Sequence, residues 1–349
     1  MKKNILVTGN LGYIGSVLVP MLTKKYNVKG FDIGYFKNCY LGIEKKLNNF
    51  TQIFKDIREI GNEDLKNIDY VIHLAALSND PLGQFNPKIT YDINFKATVK
   101  LANAAKKMGV KKFIFISSQS LYGISKKDEL LDEYKSKKNP ITAYAKSKAM
   151  SEKYLNKIKS KKFNVIFLRP STVFGSSPRL RTDIILNNFL LHAYTDKKII
   201  ILSDGLPWRP ILHVNDLCNV VKNLVDKNYK NINGKAYNLG LKGGNYRVID
   251  LAIKVLKNLK NVKIELINTH DKDQRTYKVS FKRIYNLCGK NIINKDVEYG
   301  IKELLNFFKK YQLSKNQLLR KTVRINQLKY LIKKKIVDKN LKKLREINL

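Results

Sequence analysis

Tyr144 and Lys148 stand four residues apart, a spacing that could carry proton transfer. A tyrosine exchanges a proton near neutral pH only if something lowers its ordinary pKa of about 10. Residues four apart share a helix face, so a lysine there supplies a positive charge that favours the phenolate. Tyr-x-x-x-Lys is no signal by itself in this chain. It starts six times, at Tyr122, Tyr134, Tyr144, Tyr194, Tyr311 and Tyr330. Only Tyr144 opens a helical stretch, AYAKSKAMSEKYL, shortly after a strand-like run from Lys112 that ends in Ser117 and Ser118. Context selects one tyrosine.

The second group is a turn. Ile5, Leu6 and Val7 form a short apolar run of the kind that becomes a buried parallel strand. Gly9-x-x-Gly12-x-x-Gly15 follows, then Ile14, Val17, Leu18, Met21 and Leu22 at helical spacing. A second strand, Val28 to Phe31, ends at Asp32, 17 residues past Gly15. Strand, glycine turn, helix, strand and acid is the order that binds a dinucleotide. Gly9 permits a tight turn, Gly12 lets a pyrophosphate approach the backbone, and Gly15 lets helix and strand pack closely. The helix N-terminus offers unpaired N–H groups to the phosphates. A carboxylate at Asp32 accepts from ribose hydroxyls and repels a 2′-phosphate, so NAD is expected in preference to NADP. Ala75 and Ala76, small residues closing the run Asp69 to Leu74, allow a cofactor to come close at a strand's carboxyl end. His73 falls inside that run and reads as a packed structural histidine.

With Thr8 before it, this glycine spacing resembles the short-chain dehydrogenase/reductase superfamily, most closely the extended branch of NAD-dependent nucleotide-sugar epimerases and dehydratases. The resemblance covers residues 1 to about 310. It implies that Ser118, 26 residues before Tyr144, is the hydroxyl that holds the reacting sugar oxygen, beside the catalytic pair Tyr144 and Lys148. It places Asp56 and Ile57 beside the adenine, with Asp56 accepting from the exocyclic amine. It also places Tyr13, Ile14, Leu74 and Pro170 along the cofactor, and Asn94, in Asn-x-x-Ala97-Thr98, behind the active site. Substrate contacts are implied for Ser78, for Asn188 and Arg209 on the diphosphate, and for Arg275 in a second arginine site. Pro210 replaces the acid that usually follows Arg209, and Arg179 and Arg181 are further candidates. Members that eliminate water resemble Thr-Asp-Glu where this chain has Ser118-Gln119-Ser120. Gln and Ser cannot carry that proton traffic, so a 4,6-dehydratase is not expected. The reaction implied is epimerisation of a nucleotide sugar, at C4, with the same residues able to serve a 4-keto reductase or 4-dehydrogenase.

These residues need an α/β scaffold: a doubly wound parallel sheet (Rossmann) over residues 1–170, with a smaller C-terminal α/β substrate domain over 171–312. Helices are expected from Asn86 to about Met108 and from Tyr144 to Lys159, and by resemblance both pair with their copies in a homodimer. Residues 313–349 form a basic extension. Ser314 to Leu349 holds 12 basic and 2 acidic residues, with Leu328, Ile332 and Ile336 at helical spacing after Ile325, an amphipathic helix expected to dock on its own chain. The whole chain carries 68 basic against 28 acidic residues, net +40. Only 11 of the basic residues are arginine, and the lysines are spread along all 349 residues, so the charge reads as solvated surface and no specific nucleic-acid partner is expected. Three scattered cysteines match no metal or disulfide spacing, and neither a secretory leader nor a membrane-spanning run is apparent. A cytoplasmic setting is the expectation. Titration of cofactor-free protein should show NAD binding more tightly than NADP; equal affinities would remove the role given to Asp32.

Overall fold

Ile5, Leu6 and Val7 have no exposed surface and lie in the strand Asn4–Thr8, inside a seven-stranded parallel sheet. The computed structural model describes residues 2–44, 46–125, 129–267, 276–311 and 315–345. Across the sheet the order is Lys235–Leu239, Asn164–Pro170, Lys112–Ile116, Tyr70–His73, Asn4–Thr8, Asn27–Asp32 and Phe50–Phe54. The chain runs outward from Asn4–Thr8 through the next two strands, then returns to its other side at Tyr70–His73. Ile5 pairs with Val28 on one flank and Tyr70 on the other. Between those flanks lies the switch point, the crevice where open α/β sheets bind ligands. The doubly wound expectation is met.

Alternation along the strands separates two cores. Ile5, Val7, Ile72 and Ile114 face a layer containing the helices Gly15–Leu22 and Val214–Asp226. Leu6, Val71, Phe113 and Phe115 face the opposite layer, with helices Ala97–Lys107 and Ala143–Ile158. A third core, around Phe174, Leu190, Ile211 and Leu304, belongs to the carboxyl-terminal part. There Thr172–Phe174, Trp208–His213 and Asn245–Arg247 form a three-stranded mixed sheet, and Lys198–Ile201 pairs with Lys263–Leu266.

Two local expectations need correction. The continuous helix from Asn86 to Met108 is divided into Pro87–Tyr91, a π turn at Asp92–Lys96 and Ala97–Lys107. A further helix, Asp80–Phe85, precedes it. The wide turn carries Asn94, whose amide is needed elsewhere, as described below. The basic extension is likewise two helices, Lys315–Thr322 and Arg324–Lys333. Val323 between them is extended, while the Thr322 hydroxyl bonds Thr182 and the Leu318 carbonyl. The docking itself is as expected. Leu328, Leu331, Ile336, Val337 and Leu341 are buried in the same core as Phe31, Tyr35 and Ile57.

One buried ion pair joins the layers. Arg169 Nε and Nη2 donate to Glu152 at 2.9 and 2.7 Å, and Arg169 Nη1 donates to the Tyr122 hydroxyl at 2.9 Å. Burial alone would raise the Glu152 pKa, but Arg169, with Lys138 beside it, holds it down at about 2. Its ordinary value is 4.5, so its contribution to stability is complete above that pH and is lost as pH falls towards 2. Acid unfolding should show that loss. Glu152→Gln should cost about 3–5 kcal/mol in urea unfolding at pH 7, because Arg169 is left buried without its countercharge; a cost below about 1 kcal/mol would show the pair to be dispensable.

Candidate active site

The glycine turn is built by close backbone approach. Gly9 has φ +71°, and a Cβ on it would lie 2.6 Å from the Ala75 nitrogen. One on Gly15 would lie 2.5 Å from the Asn10 backbone, whereas one on Gly12 would meet only the Gly9 carbonyl, at 3.1 Å. Gly12 therefore faces open space. That space is a cavity of about 890 Å³ over the carboxyl ends of the central strands.

Most residues singled out in the sequence share this cavity. Gly9, Gly12, Tyr13, Ile14 and Gly15 form part of its wall, and Asp32, Asp56 and Ile57 line it beyond the second and third strands. Leu74, Ala75, Ala76 and Pro170 complete the cofactor side. Ser78, Ser118, Tyr144, Lys148, Asn188 and Arg209 line the same space. Asp32 accepts from the N–H groups of Leu11 at 3.2 Å and Gly34 at 2.8 Å, which fixes the carboxylate at the strand's end. Burial raises its pKa.

Tyr144 enters on the helix Ala143–Ile158, which is capped by the Thr142 hydroxyl accepting from the Ala145 N–H. Ser118 ends the run after Lys112–Ile116. Burial pushes the Tyr144 pKa up to about 12, and its hydrogen bond with Ser118 pulls the other way. Burial pushes Lys148 down to about 7. Its ammonium donates to the Ile116 carbonyl at 2.7 Å and lies 6.0 Å from the centre of the Tyr144 ring. Burial dominates the Tyr144 pKa in this arrangement, so the tyrosine is protonated at neutral pH.

Several other candidate positions have partners within the protein. Asn94 does not reach the cavity. Its Oδ1 accepts from the Leu77 N–H at 2.8 Å, and its Nδ2 donates to the Leu77 carbonyl at 3.2 Å and to Ser147 at 3.2 Å. It shapes the cavity wall from behind. Asp56 lines the cavity, but Arg58 grips both its oxygens, through Nε at 3.0 and 2.9 Å and through Nη2 at 2.5 Å. Arg209 Nη1 donates to the Trp208 carbonyl at 3.0 Å, and Asn188 Nδ2 donates to the Thr182 carbonyl at 3.0 Å. Arg179 is buried against Glu44 and the Phe36 carbonyl, away from the cavity lining. Arg275 lies outside the described residues. His73 is packed, as expected. Its ring nitrogens meet Thr8 at 2.6 Å and Thr98 at 2.7 Å, and burial keeps it neutral.

The sequence reading undervalued one group and missed another. Arg181 lines the cavity, fastened by Asp183 through Nε at 2.8 Å and Nη2 at 2.9 Å, and donates to Ser78 at 2.9 Å. The run Arg181-Thr182-Asp183 was its only signal. Arg324, also in the lining, comes from the extension and had none.

The residues fit a dinucleotide. Gly12 leaves room at the helix start, and the Ser117 hydroxyl, buried in the lining beside Ser118, has no protein partner. Among the described residues no cluster could hold a metal ion, and no helix is long and apolar enough to cross a membrane.

The sequence model of the NAD dependent epimerase/dehydratase family matches residues 5–240. A dTDP-D-glucose 4,6-dehydratase from Mus musculus is 27% identical over 335 residues, 88% of this chain and 89% of its own length. Among solved structures, a UDP-glucuronic acid 4-epimerase from Bacillus cereus, bound to UDP-glucuronic acid and NAD, superposes with TM-score 0.74 at 23% identity, covering 88% of this chain and 99% of the other. A UDP-N-acetylglucosamine 4-epimerase from Methanobrevibacter ruminantium M1, in complex with UDP-N-acetylmuramic acid, gives 0.73 at 25% identity, covering 88% and 100%.

Asn94→Ala should cost about 1–3 kcal/mol in chemical unfolding, since it leaves the Leu77 N–H and carbonyl buried without partners. NAD affinity should fall with it, because Leu77 belongs to the cavity wall. Unchanged stability would show that the loop is held from elsewhere.

Proposed function

The chain belongs to the NAD dependent epimerase/dehydratase family, and from that premise we propose that it is a nucleoside-diphosphate-sugar epimerase acting at C4 through a transient 4-keto sugar. NAD, when bound, supplies a hydride acceptor that is restored within each turnover. Tyr144 takes the proton of the 4-hydroxyl and later returns it, while Ser118 holds that oxygen and orients it. A tyrosine whose pKa stands at about 12 needs positive charge near it to act as a base. Lys148 is the side chain placed to give it, by reaching past the Ile116 carbonyl towards the ring. Arg209 and Asn188 are assigned the sugar's diphosphate, with Arg181 converging on the same space; Arg275 is retained for the second arginine contact. The reading includes a homodimer, supported by Met150, exposed on the helix Ala143–Ile158, and by Ile141 just before it.

The observation that carries the epimerase reading is the position after Ser118. By the family resemblance, elimination of water would use an acid and a base there. Gln119 cannot serve, because its Nε2 donates to the Arg169 and Leu239 carbonyls at 3.0 and 3.1 Å and its Oε1 accepts from Ser171. Ser120, which lines the cavity, has no titratable group near neutral pH. The same residues would also serve a 4-keto reductase or 4-dehydrogenase, which the cofactor balance distinguishes.

Incubation with nucleotide sugars should give the C4 epimer with no added NADH and no change in NADH absorbance. Stoichiometric NADH consumption or formation would instead identify a reductase or dehydrogenase, and a 6-deoxy-4-keto product a dehydratase. Tyr144→Phe should lower the rate by at least about 10²–10⁴-fold while NAD remains bound. Lys148→Met should move the limb of the pH–rate profile upward, because a cation beside the tyrosine is removed. If Tyr122→Phe were as damaging, the choice of tyrosine would be wrong.

A further inference from the structure

Four arginines of the described residues that are buried or nearly so are held by a carboxylate. Arg58 grips Asp56, Arg169 grips Glu152, Arg179 meets Glu44 and Arg181 is clamped by Asp183. Arg324, 2% exposed, opens the second helix of the carboxyl-terminal extension and has no carboxylate within ion-pair distance among the described residues. Its Nη1 donates to the Lys321 carbonyl at 3.0 Å and its Nη2 to the Arg179 carbonyl at 2.6 Å. Its guanidinium carbon lies 4.6 Å from the centre of the Phe36 ring. A guanidinium has five donor hydrogens, so two carbonyls leave capacity unused. A buried cation without a countercharge is costly unless something else supplies one.

Its surroundings say where the anion would come from. Arg324 lines the large cavity together with Asp32, Tyr35 and Phe36, just past the second strand. The extension is fastened over this end of the cleft. Gln327 donates to the Tyr35 carbonyl at 3.2 Å, and the Tyr35 hydroxyl bonds the Leu341 carbonyl. Arg58 donates to the carbonyls of Asn340 and Leu341 at 2.9 and 2.8 Å. On the other side the Thr182 N–H donates to the Thr322 carbonyl at 3.2 Å, next to Arg181. The extension thus bridges the two walls of the cavity and inserts one cation between them.

We propose that the carboxyl-terminal extension is part of the NAD site, and that Arg324 meets the diphosphate of the dinucleotide. The adenosine half of NAD belongs beside Asp32, and the diphosphate leads from there to the glycine turn. Phe36 holds the planar guanidinium in place by stacking, and the two carbonyls fix its orientation, so donors are aimed before the ligand arrives. The bound diphosphate supplies the missing countercharge, which makes cofactor retention depend on a segment remote in sequence from the glycine turn. This rests on NAD as the cofactor and is independent of the C4 chemistry.

Calorimetric titration of the full chain, freed of cofactor, with NAD, ADP-ribose, NADP and UDP tests it. Arg324→Gln should weaken NAD and ADP-ribose alike, by about 10- to 100-fold, and leave UDP unchanged. Arg324→Lys should recover part of the loss, and gives the same reading if the glutamine variant does not fold. The melting temperature of cofactor-free Arg324→Gln should stay level or rise, because a lone buried charge is gone, while the added stability from NAD shrinks. A lower melting temperature with unchanged NAD affinity would make Arg324 a structural tie and overturn the proposal. Loss of UDP affinity alone would move it to the substrate's diphosphate, and loss confined to NADP would make it a 2′-phosphate site; either result overturns it.

Discussion

The site depends on backbone meeting backbone without side chains between. Gly9, at positive φ, lies so close to Ala75 that a single Cβ would strike its nitrogen. The contact joins the end of the first strand to the end of the fourth, the two sides of the switch point. It sets how deep the cavity floor lies and where the helix Gly15–Leu22 begins, and so where that helix's N–H groups point. Gly15, against the Asn10 backbone, brings the helix in equally close. Ala75 and Ala76 matter for the same reason: a larger side chain would fill the space that the turn opens.

Around this contact, groups with few alternatives hold the chemistry in position. The Asn94 amide satisfies both polar groups of the Leu77 backbone, which keeps the wall rigid after Ala76. The π turn presents Asn94 at a position an unbroken helix would not offer it. Lys148, deep beside Phe115, spends its ammonium on the Ile116 carbonyl, and Tyr144 remains protonated above it. Burial holds the Tyr144 pKa above and the Lys148 pKa below their ordinary values, so both groups are shifted towards their neutral forms.

Electrostatics in the interior follows from an unusual composition. With 28 acidic residues against 68 basic ones, carboxylates are scarce, and several are used where burial makes them count. Glu152, Asp183 and Asp56 each hold an arginine with two nitrogens. Lysines at the surface are solvated by water, so they do not depend on a paired carboxylate. Arg324 is buried, so its charge needs an answer from inside the cavity.

The parallel sheet, the glycine turn, Asp32 and the Tyr144 helix were legible in the sequence because each is a local pattern. Apolar runs of strand length, glycines at fixed spacing and a period near 3.6 follow from geometry within a few residues. Even among six Tyr-x-x-x-Lys runs, the neighbouring strand and serines distinguished one, and the structure places it in the cavity with Ser118 and Lys148. What the sequence could not supply was the pairing of distant groups. That Asn94 is occupied by Leu77, that Arg58 covers Asp56, and that Lys148 faces a carbonyl are decided by side chains from different elements meeting in three dimensions. Arg324 is the extreme case: nothing near it in sequence marks it, and only the packing of Leu328, Leu331 and Leu341 onto the sheet's own core carries it to the cavity, because the hydrophobic area buried there selects the docking and the arginine is carried with it.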